Sequence, residues 1–272
     1  MKIPFSKMSG CGNDFILIDN RECILSTPIG ELTQMICDRH NGVGADGLII
    51  IEKSDTAHFK MRFYNSDGGE AEMCGNGARC VARFAYLTRI APAKMTFETR
   101  AGEIEGQVLE DGHVKITMGR IPFKLSEGRI DSIEDGPLYY LTVGVPHTVF
   151  FVDTIDTVDV FTRGRSIRYH EKFAPAGTNV NFVKVLNQDS LVIRTYERGV
   201  EAETMACGTG ASASAIVAFS LGFVKMPVHV YTKNNCLLVI DFKYTHDVFD
   251  SLILQGEARM ICDGFFFINS LR

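Results

Sequence analysis

Met73-Cys74-Gly75-Asn76-Gly77-Ala78 and Ala206-Cys207-Gly208-Thr209-Gly210-Ala211 each place a cysteine before a Gly-x-Gly-Ala turn. Each leads into a small, apolar run, Ala78 to Leu87 and Ala211 to Leu221, that reads as a helix. A cysteine at a helix N-terminus lies beside backbone N–H groups that the helix leaves without a carbonyl. That setting favours negative charge, lowering a thiol pKa from its reference of about 8.5 and forming a pocket for a carboxylate. One such cysteine is ambiguous, because Gly-rich helix starts also serve close packing. Two in equivalent contexts, 133 residues apart, point to a pair of thiols supplied by two related halves.

The surrounding sequence supports a duplication. Arg62-Phe63-Tyr64 precedes Cys74 by about the distance at which Arg194-Thr195-Tyr196 precedes Cys207, with one extra residue in the second case. Asn13-Asp14-Phe15 has a looser echo in Asn179-Val180-Asn181-Phe182. Short β-rich runs predict strands at Phe15 to Asp19, Leu48 to Glu52, Phe59 to Tyr64, Leu138 to Val143, Val149 to Asp153, Val180 to Val185, Leu191 to Tyr196, Val228 to Thr232, Leu237 to Phe242 and Leu252 to Gln255. Met95 to Met118 alternates and turns at Ala101-Gly102 and Asp111-Gly112, the pattern of antiparallel strands. A further helix is expected from Pro28, capped by Thr27. The Gly-, Pro- and charge-rich stretch Gly119 to Pro137 reads as a linker. The expected fold is therefore α+β, two pseudo-symmetric halves, each a mostly antiparallel sheet around a principal helix. Residues 1–118, completed by the segment 256–272, carry Cys74; residues 119–255 carry Cys207.

Composition narrows the functional classes. The 272 residues are 46% hydrophobic and carry a formal net charge of −5 with basic residues scattered, so neither nucleic acid nor an anionic membrane is an expected partner. No segment approaches the length of a membrane span and no signal peptide is apparent, so a cytoplasmic protein acting on a small molecule is expected. The eight cysteines contain no Cys-x-x-Cys pair and the seven histidines do not fall at ligand spacing, so no metal site is expected.

Two opposed thiols flanking one carbon can perform stereoinversion: a thiolate removes the α-proton and the opposite thiol delivers one to the other face. N–H groups of Gly75, Asn76, Gly208 and Thr209 would hold the adjacent carboxylate and stabilise the carbanion's charge. A cysteine protease would need one thiol and a histidine base, with His40 or His147 available, but no second matched cysteine.

The ordered motifs Lys7-Met8-Ser9-Gly10-Cys11-Gly12-Asn13-Asp14-Phe15, Asp38-Arg39-His40-Asn41-Gly42-Val43-Gly44-Ala45-Asp46-Gly47, Asn65-Ser66-Asp67-Gly68, Cys74 to Cys80, Gly144-Val145-Pro146-His147, Asn179 to Phe182, Glu197-Arg198-Gly199 and Ala206 to Gly210 together resemble the diaminopimelate epimerase family over nearly the whole chain. The resemblance implies a cofactor-independent epimerase interconverting LL- and meso-diaminopimelate in lysine and peptidoglycan precursor synthesis, with Cys74 and Cys207 as acid–base thiols. It further implies that Asn13, Asn65, Asn179, Glu197 and Arg198 bind substrate, that no cofactor is needed, and that the protein is a homodimer. A related two-cysteine racemase with a different or broader substrate range is the alternative. Three departures from the family pattern bear on specificity: Val145 stands where many members have Asn, Gly47 where some place a polar side chain, and Val200 to Thr204 is one residue longer.

Overall fold

The computed structural model describes residues 2–131 and 133–268. The chain divides into two compact units, one formed by Met1–Ile116 with Gly256–Arg272 and the other by Thr117–Gln255.

In the first unit β1 (Lys2–Gly10) folds back antiparallel on β2 (Asn13–Asp19) through the turn Cys11-Gly12. Helix α1 (Ile29–Cys37) then crosses over, so that β3 (Gly47–Glu52) runs parallel to β2. Strand β4 (Phe59–Asn65) pairs antiparallel with β3 and takes the short β5 (Glu70–Ala71) on its other side. After helix α2 (Gly75–Leu87), β6 (Lys94–Thr99) lies parallel to β4, and a hairpin leads to β7 (Gly102–Val108). Strand β8 (Val114–Thr117) ends this run.

The second unit repeats the plan. A lead-in of β9 (Ile121–Pro122), the one-turn α3 (Leu125–Gly128) and β10 (Arg129–Ile130) precedes β11 (Leu138–Val143), which pairs antiparallel with β12 (Val145–Phe151). Helix α4 (Val160–Arg168) crosses over to β13 (Asn179–Asn187), parallel to β12; β14 (Ser190–Glu197) is antiparallel to β13, and β15 (Ala202–Thr204) to β14. Helix α5 (Gly208–Ser220) is followed by β16 (Val228–Tyr231), parallel to β14, then β17 (Leu237–Thr245) and β18 (Val248–Gly256). The chain finally returns to the first unit, where β19 (Arg259–Phe267) pairs antiparallel with β1.

Strands β2 and β3 read as unbroken apolar runs because both their faces are covered. Ile16, Ile18, Leu48 and Ile50 pack against Leu32 and Ile36 of α1, while the alternate residues Leu17, Ile49 and Ile51 are equally buried on the face opposite. In the second unit Phe150, Val180, Phe182 and Tyr196 meet Val160 and Ile167 of α4 in the same way. Helices α2 and α5 are buried along most of their length; α5 touches β11, β12, β13, β14, β16 and β17 of its own unit. This is the α+β arrangement of two similar halves, with parallel crossovers at equivalent places inside otherwise antiparallel sheets.

The stretch 119–137 departs from the reading as a linker. Ile121 and Phe123 are buried, β9 pairs with β18, and β10 pairs with β11, so its glycines and prolines shape packed turns. The expected cap Thr27 also gives way: Pro28 occupies the N-cap of α1 and no side chain caps that helix. Cys23 and Cys262 are exposed, although cysteine is among the residue types most often buried.

Candidate active site

Both principal helices begin on their cysteine. Cys74 is the N-cap of α2 with φ −133° and ψ 120°, and its Sγ accepts the Gly77 N–H at 3.5 Å. Cys207 is the N-cap of α5 with φ −125° and ψ 108°, and its Sγ accepts the Gly210 N–H at 3.4 Å. Sulfur thus takes the place that a Ser, Thr or Asp oxygen ordinarily fills at this position. The helices start three residues earlier than the apolar runs suggest, so Gly75, Asn76, Gly208 and Thr209 all lie in first turns, whose amides no intrahelical carbonyl reaches. Gly210 is required by space, since a Cβ there would sit 2.3 Å from Asn181 Oδ1; at Gly77 a Cβ would be 3.1 Å from Ile49 Cδ1.

In the first unit, Asn13 opens β2 with its amide held at both ends. Its Nδ2 donates to Asp46 Oδ2 at 2.9 Å and its Oδ1 accepts from Asn76 Nδ2 at 2.5 Å. Asp46 is in turn bound by Arg39, which also grips Asp14, while Lys7 closes on Asp14 at 3.0 Å. Burial alone would raise the Asp14 pKa, but the Arg39 and Lys7 hydrogen bonds and charges outweigh it and hold the carboxyl below the usual range. From the other side, Asn76 Oδ1 accepts from Arg79 Nη2 at 2.8 Å. Asn65 ends β4 exposed, its backbone tied by a turn to Gly69.

In the second unit, Asn179 opens β13. Its Nδ2 donates to the Pro146 carbonyl at 3.2 Å and its Oδ1 accepts the Arg198 N–H at 2.7 Å. Glu197 ends β14, and the half-buried Arg198 begins the turn that follows. Beneath α5, Asn181 Nδ2 donates to His147 Nδ1 at 3.2 Å and to the Thr148 carbonyl, and its Oδ1 accepts from Thr195. The imidazole is wholly buried, and burial, aided by the Arg198 charge, pushes its pKa down to about 3. The ring is therefore neutral at physiological pH, and the Asn181 bond places its proton on Nε2.

Strand registers align the two halves residue by residue. Phe15 faces Gly47 across the parallel pair of the first unit as His147 faces Asn179 in the second. Asn13 thereby corresponds to Val145, Gly47 to Asn179, Asn65 to Glu197, and Ile49 and Phe63 to Asn181 and Thr195. Arg62 clasps Glu70 with two N–H···O bonds of 2.8 and 3.1 Å, and Arg194 clasps Glu203 in the same manner at 2.7 and 2.9 Å. The extra residue of the second half thus falls in the turn between Glu197 and Glu203, which carries Arg198. Gly47 has no room for the side chain seen at its counterpart Asn179: a Cβ would lie 2.6 Å from the Phe63 ring and from the Tyr64 carbonyl. Asp46, Arg79 and Asn181, which join these networks, were not singled out as site residues by sequence, although each lies within a quoted motif, and His147 was offered only as the base of a cysteine protease.

The family model for diaminopimelate epimerase matches residues 5–124 and 139–261. The chain belongs to the diaminopimelate epimerase family. It is 44% identical to the diaminopimelate epimerase of Hydrogenobaculum sp. (strain Y04AAS1), covering 95% of this chain and 96% of that one. It is 45% identical to the enzyme of the same name from Aquifex aeolicus, covering 96% and 97%. Among solved structures, a probable proline racemase from Agrobacterium radiobacter K84 aligns with a TM-score of 0.74 over 99% of this chain and 94% of that one at 14% identity. A hydroxyproline epimerase from Agrobacterium vitis aligns with a TM-score of 0.72 over 98% and 93% at 13% identity. These structures share the fold of the family.

Proposed function

We propose that this protein is a cofactor-independent isomerase that interconverts LL- and meso-2,6-diaminopimelate by proton transfer at an α-carbon, in lysine and peptidoglycan precursor synthesis. The observation that carries the reading is the matched pair of cysteine N-caps, one on each principal helix. In this reading one of Cys74 and Cys207, as thiolate, takes the α-proton while the other, as thiol, gives one up, so each turnover exchanges their ionisation states. First-turn N–H groups of Gly75, Asn76, Gly208 and Thr209 receive the α-carboxylate. As the proton leaves, charge moves onto the carboxylate oxygens, where fixed amides and two helix dipoles stabilise it without reorganisation.

The other end of the substrate is held by side chains. Arg198 offers a planar fork for the distal carboxylate, Glu197 accepts from an ammonium group, and Asn13, Asn65 and Asn179 supply amide donors and acceptors. Asn13 and Asn179 are fixed by the hydrogen bonds described above, so their free valences are oriented before substrate arrives. That the protein acts as a cytoplasmic homodimer is part of the same proposal and rests on the family resemblance.

Val145 and Gly47 support a second reading, a two-cysteine racemase with broader substrate range, because neither presents the polar side chain that relatives place there. Exchange of the α-hydrogen in D₂O over a panel of amino acids tests both. Exchange confined to diaminopimelate isomers supports the first, exchange extending to monocarboxylic amino acids the second, and no exchange with any would overturn the assignment.

A further inference from the structure

The two thiol sites match in backbone and differ in charge. Five residues after Cys74 stands Arg79; five residues after Cys207 stands Ser212. Both reach back to the first residue of their helix: Arg79 Nη1 donates to the Gly75 carbonyl at 3.3 Å, and Ser212 Oγ to the Gly208 carbonyl at 3.0 Å. The same carbonyl is therefore satisfied by a cation in one half and by a neutral hydroxyl in the other.

Arg79 is wholly buried, and among the described residues its hydrogen bonds go to uncharged acceptors: Gly75 O, Asn76 Oδ1, the Glu257 backbone O at 3.4 Å, and Cys11 Sγ at 3.6 Å. The Glu257 carboxylate acts on the guanidinium through its charge alone and pairs directly with Arg259. A guanidinium remains charged in protein interiors, and burying one away from water without a direct ion pair is costly. That cost falls if a neighbouring group ionises to an anion. Two thiols adjoin it: Cys80, whose complete burial pushes its pKa up to about 12, and Cys74, which is partly exposed and sits on a helix N-terminus. Cys80 stays protonated, leaving Cys74 to take the charge.

The other charged groups packed around α2 do not cancel this field. Arg83 binds the Gly112 and Ala258 carbonyls and adds positive charge. Beyond Asn13, the carboxylates Asp14 and Asp46 are neutralised by Lys7 and Arg39. In the second unit the corresponding surroundings are the Ser212 hydroxyl, the neutral His147, and Glu197 with Arg198 at the end of β14.

We infer that Arg79 is a positioning residue that breaks the symmetry of the thiol pair, making Cys74 the resting thiolate and Cys207 the resting thiol. The same guanidinium orients the Asn76 amide, and through it Asn13, a relay whose counterparts in the second half are Ser212, Thr209 and Val145 and carry no charge. This rests on the two-thiol reading for its role in turnover, but its electrostatic content is measurable without turnover.

The experiment follows alkylation by iodoacetamide against pH, with the modified cysteine located by mass spectrometry. Cys74 is read in a Cys207→Ala background and Cys207 in a Cys74→Ala background, so that the two titrations are uncoupled. The midpoint for Cys74 should lie at least about one pH unit below that for Cys207. Arg79→Gln, which keeps a donor and removes the charge, should raise the Cys74 midpoint by about one unit or more and leave that of Cys207 in place; Arg79→Lys should restore most of the difference. Circular dichroism identifies variants that retain the fold. Equal midpoints in the Arg79 protein, or a Cys74 midpoint unmoved by Arg79→Gln, would overturn the inference. Failure of the D₂O exchange test with the midpoints as expected would remove only the catalytic reading.

Discussion

The backbone N–H of Arg198 donates to the side-chain oxygen of Asn179 over 2.7 Å, so the residue that opens β13 pins the turn that follows β14. Arg198 is thereby held by its main chain while its guanidinium, which donates to the Ala176 carbonyl, has further N–H groups to offer a ligand. Asn179→Ala should release the turn and raise KM for diaminopimelate with a smaller change in kcat. Arg198→Lys keeps the charge but loses the fork, so it should weaken dicarboxylic substrates by about tenfold or more and monocarboxylic ones far less. Equal losses on both classes would remove Arg198 from substrate recognition.

The thiol pair makes a sharper demand. Cys74→Ala and Cys207→Ala should each abolish stereoinversion, because neither variant can both take a proton from one face and return one to the other. The fold should survive with a modest loss of thermal stability, since each variant gives up only the sulfur cap of one helix. Near-normal epimerisation by either variant would reject the mechanism, and a severe effect in only one would favour single-thiol nucleophilic chemistry.

The proposed two-thiol mechanism makes a redox prediction, because thiols that serve one carbon would be close enough to oxidise together. Mild oxidant should therefore inactivate the protein, and reductant should restore it. Peptide mapping of the inactive form is expected to recover Cys74 and Cys207 in one disulfide-linked pair; finding both as free thiols would contradict the proposed facing arrangement.

His147 supplies a pH dependence of stability. Its pKa is about 3 in the folded protein because of burial and the Arg198 charge, against about 6.5 when unfolded. Protons therefore favour the unfolded chain: the contribution of the neutral ring is complete above about pH 6.5 and is lost as pH falls from there toward 3. The urea midpoint should fall across that window, and His147→Gln should flatten the fall whatever its effect at pH 7. An unchanged slope would show that the ring is not buried neutral.

Much of this was legible from the chain because the decisive elements repeat. The Cys-Gly-x-Gly-Ala runs marked both principal helices, and β2 and β3 announced themselves as apolar runs buried on both faces. Elements whose stabilising partners are distant were silent. Helix α4 has Gly164 where an apolar stripe would place a large residue, because a Cβ there would lie 2.4 Å from Tyr196 Cβ. Strand β1 begins with charge and proline, and its pairing depends on β19 at the far end of the chain. The site residues that escaped notice act through others: Asp46 and Arg79 touch Asn13 and Asn76, and only geometry reveals which asparagine each one turns.

The pairing of β1 with β19 also sets an order of assembly during synthesis. Residues 117–255 form a contiguous compact stretch, whereas β1 must wait for β19, made about 250 residues later, before its edge is covered. The nascent chain therefore carries an open strand edge, Lys2–Gly10, until Arg259–Phe267 has been made. The lysines at positions 2 and 7 and the proline at position 4 are the residue types that discourage such an edge from pairing with a stranger while it waits.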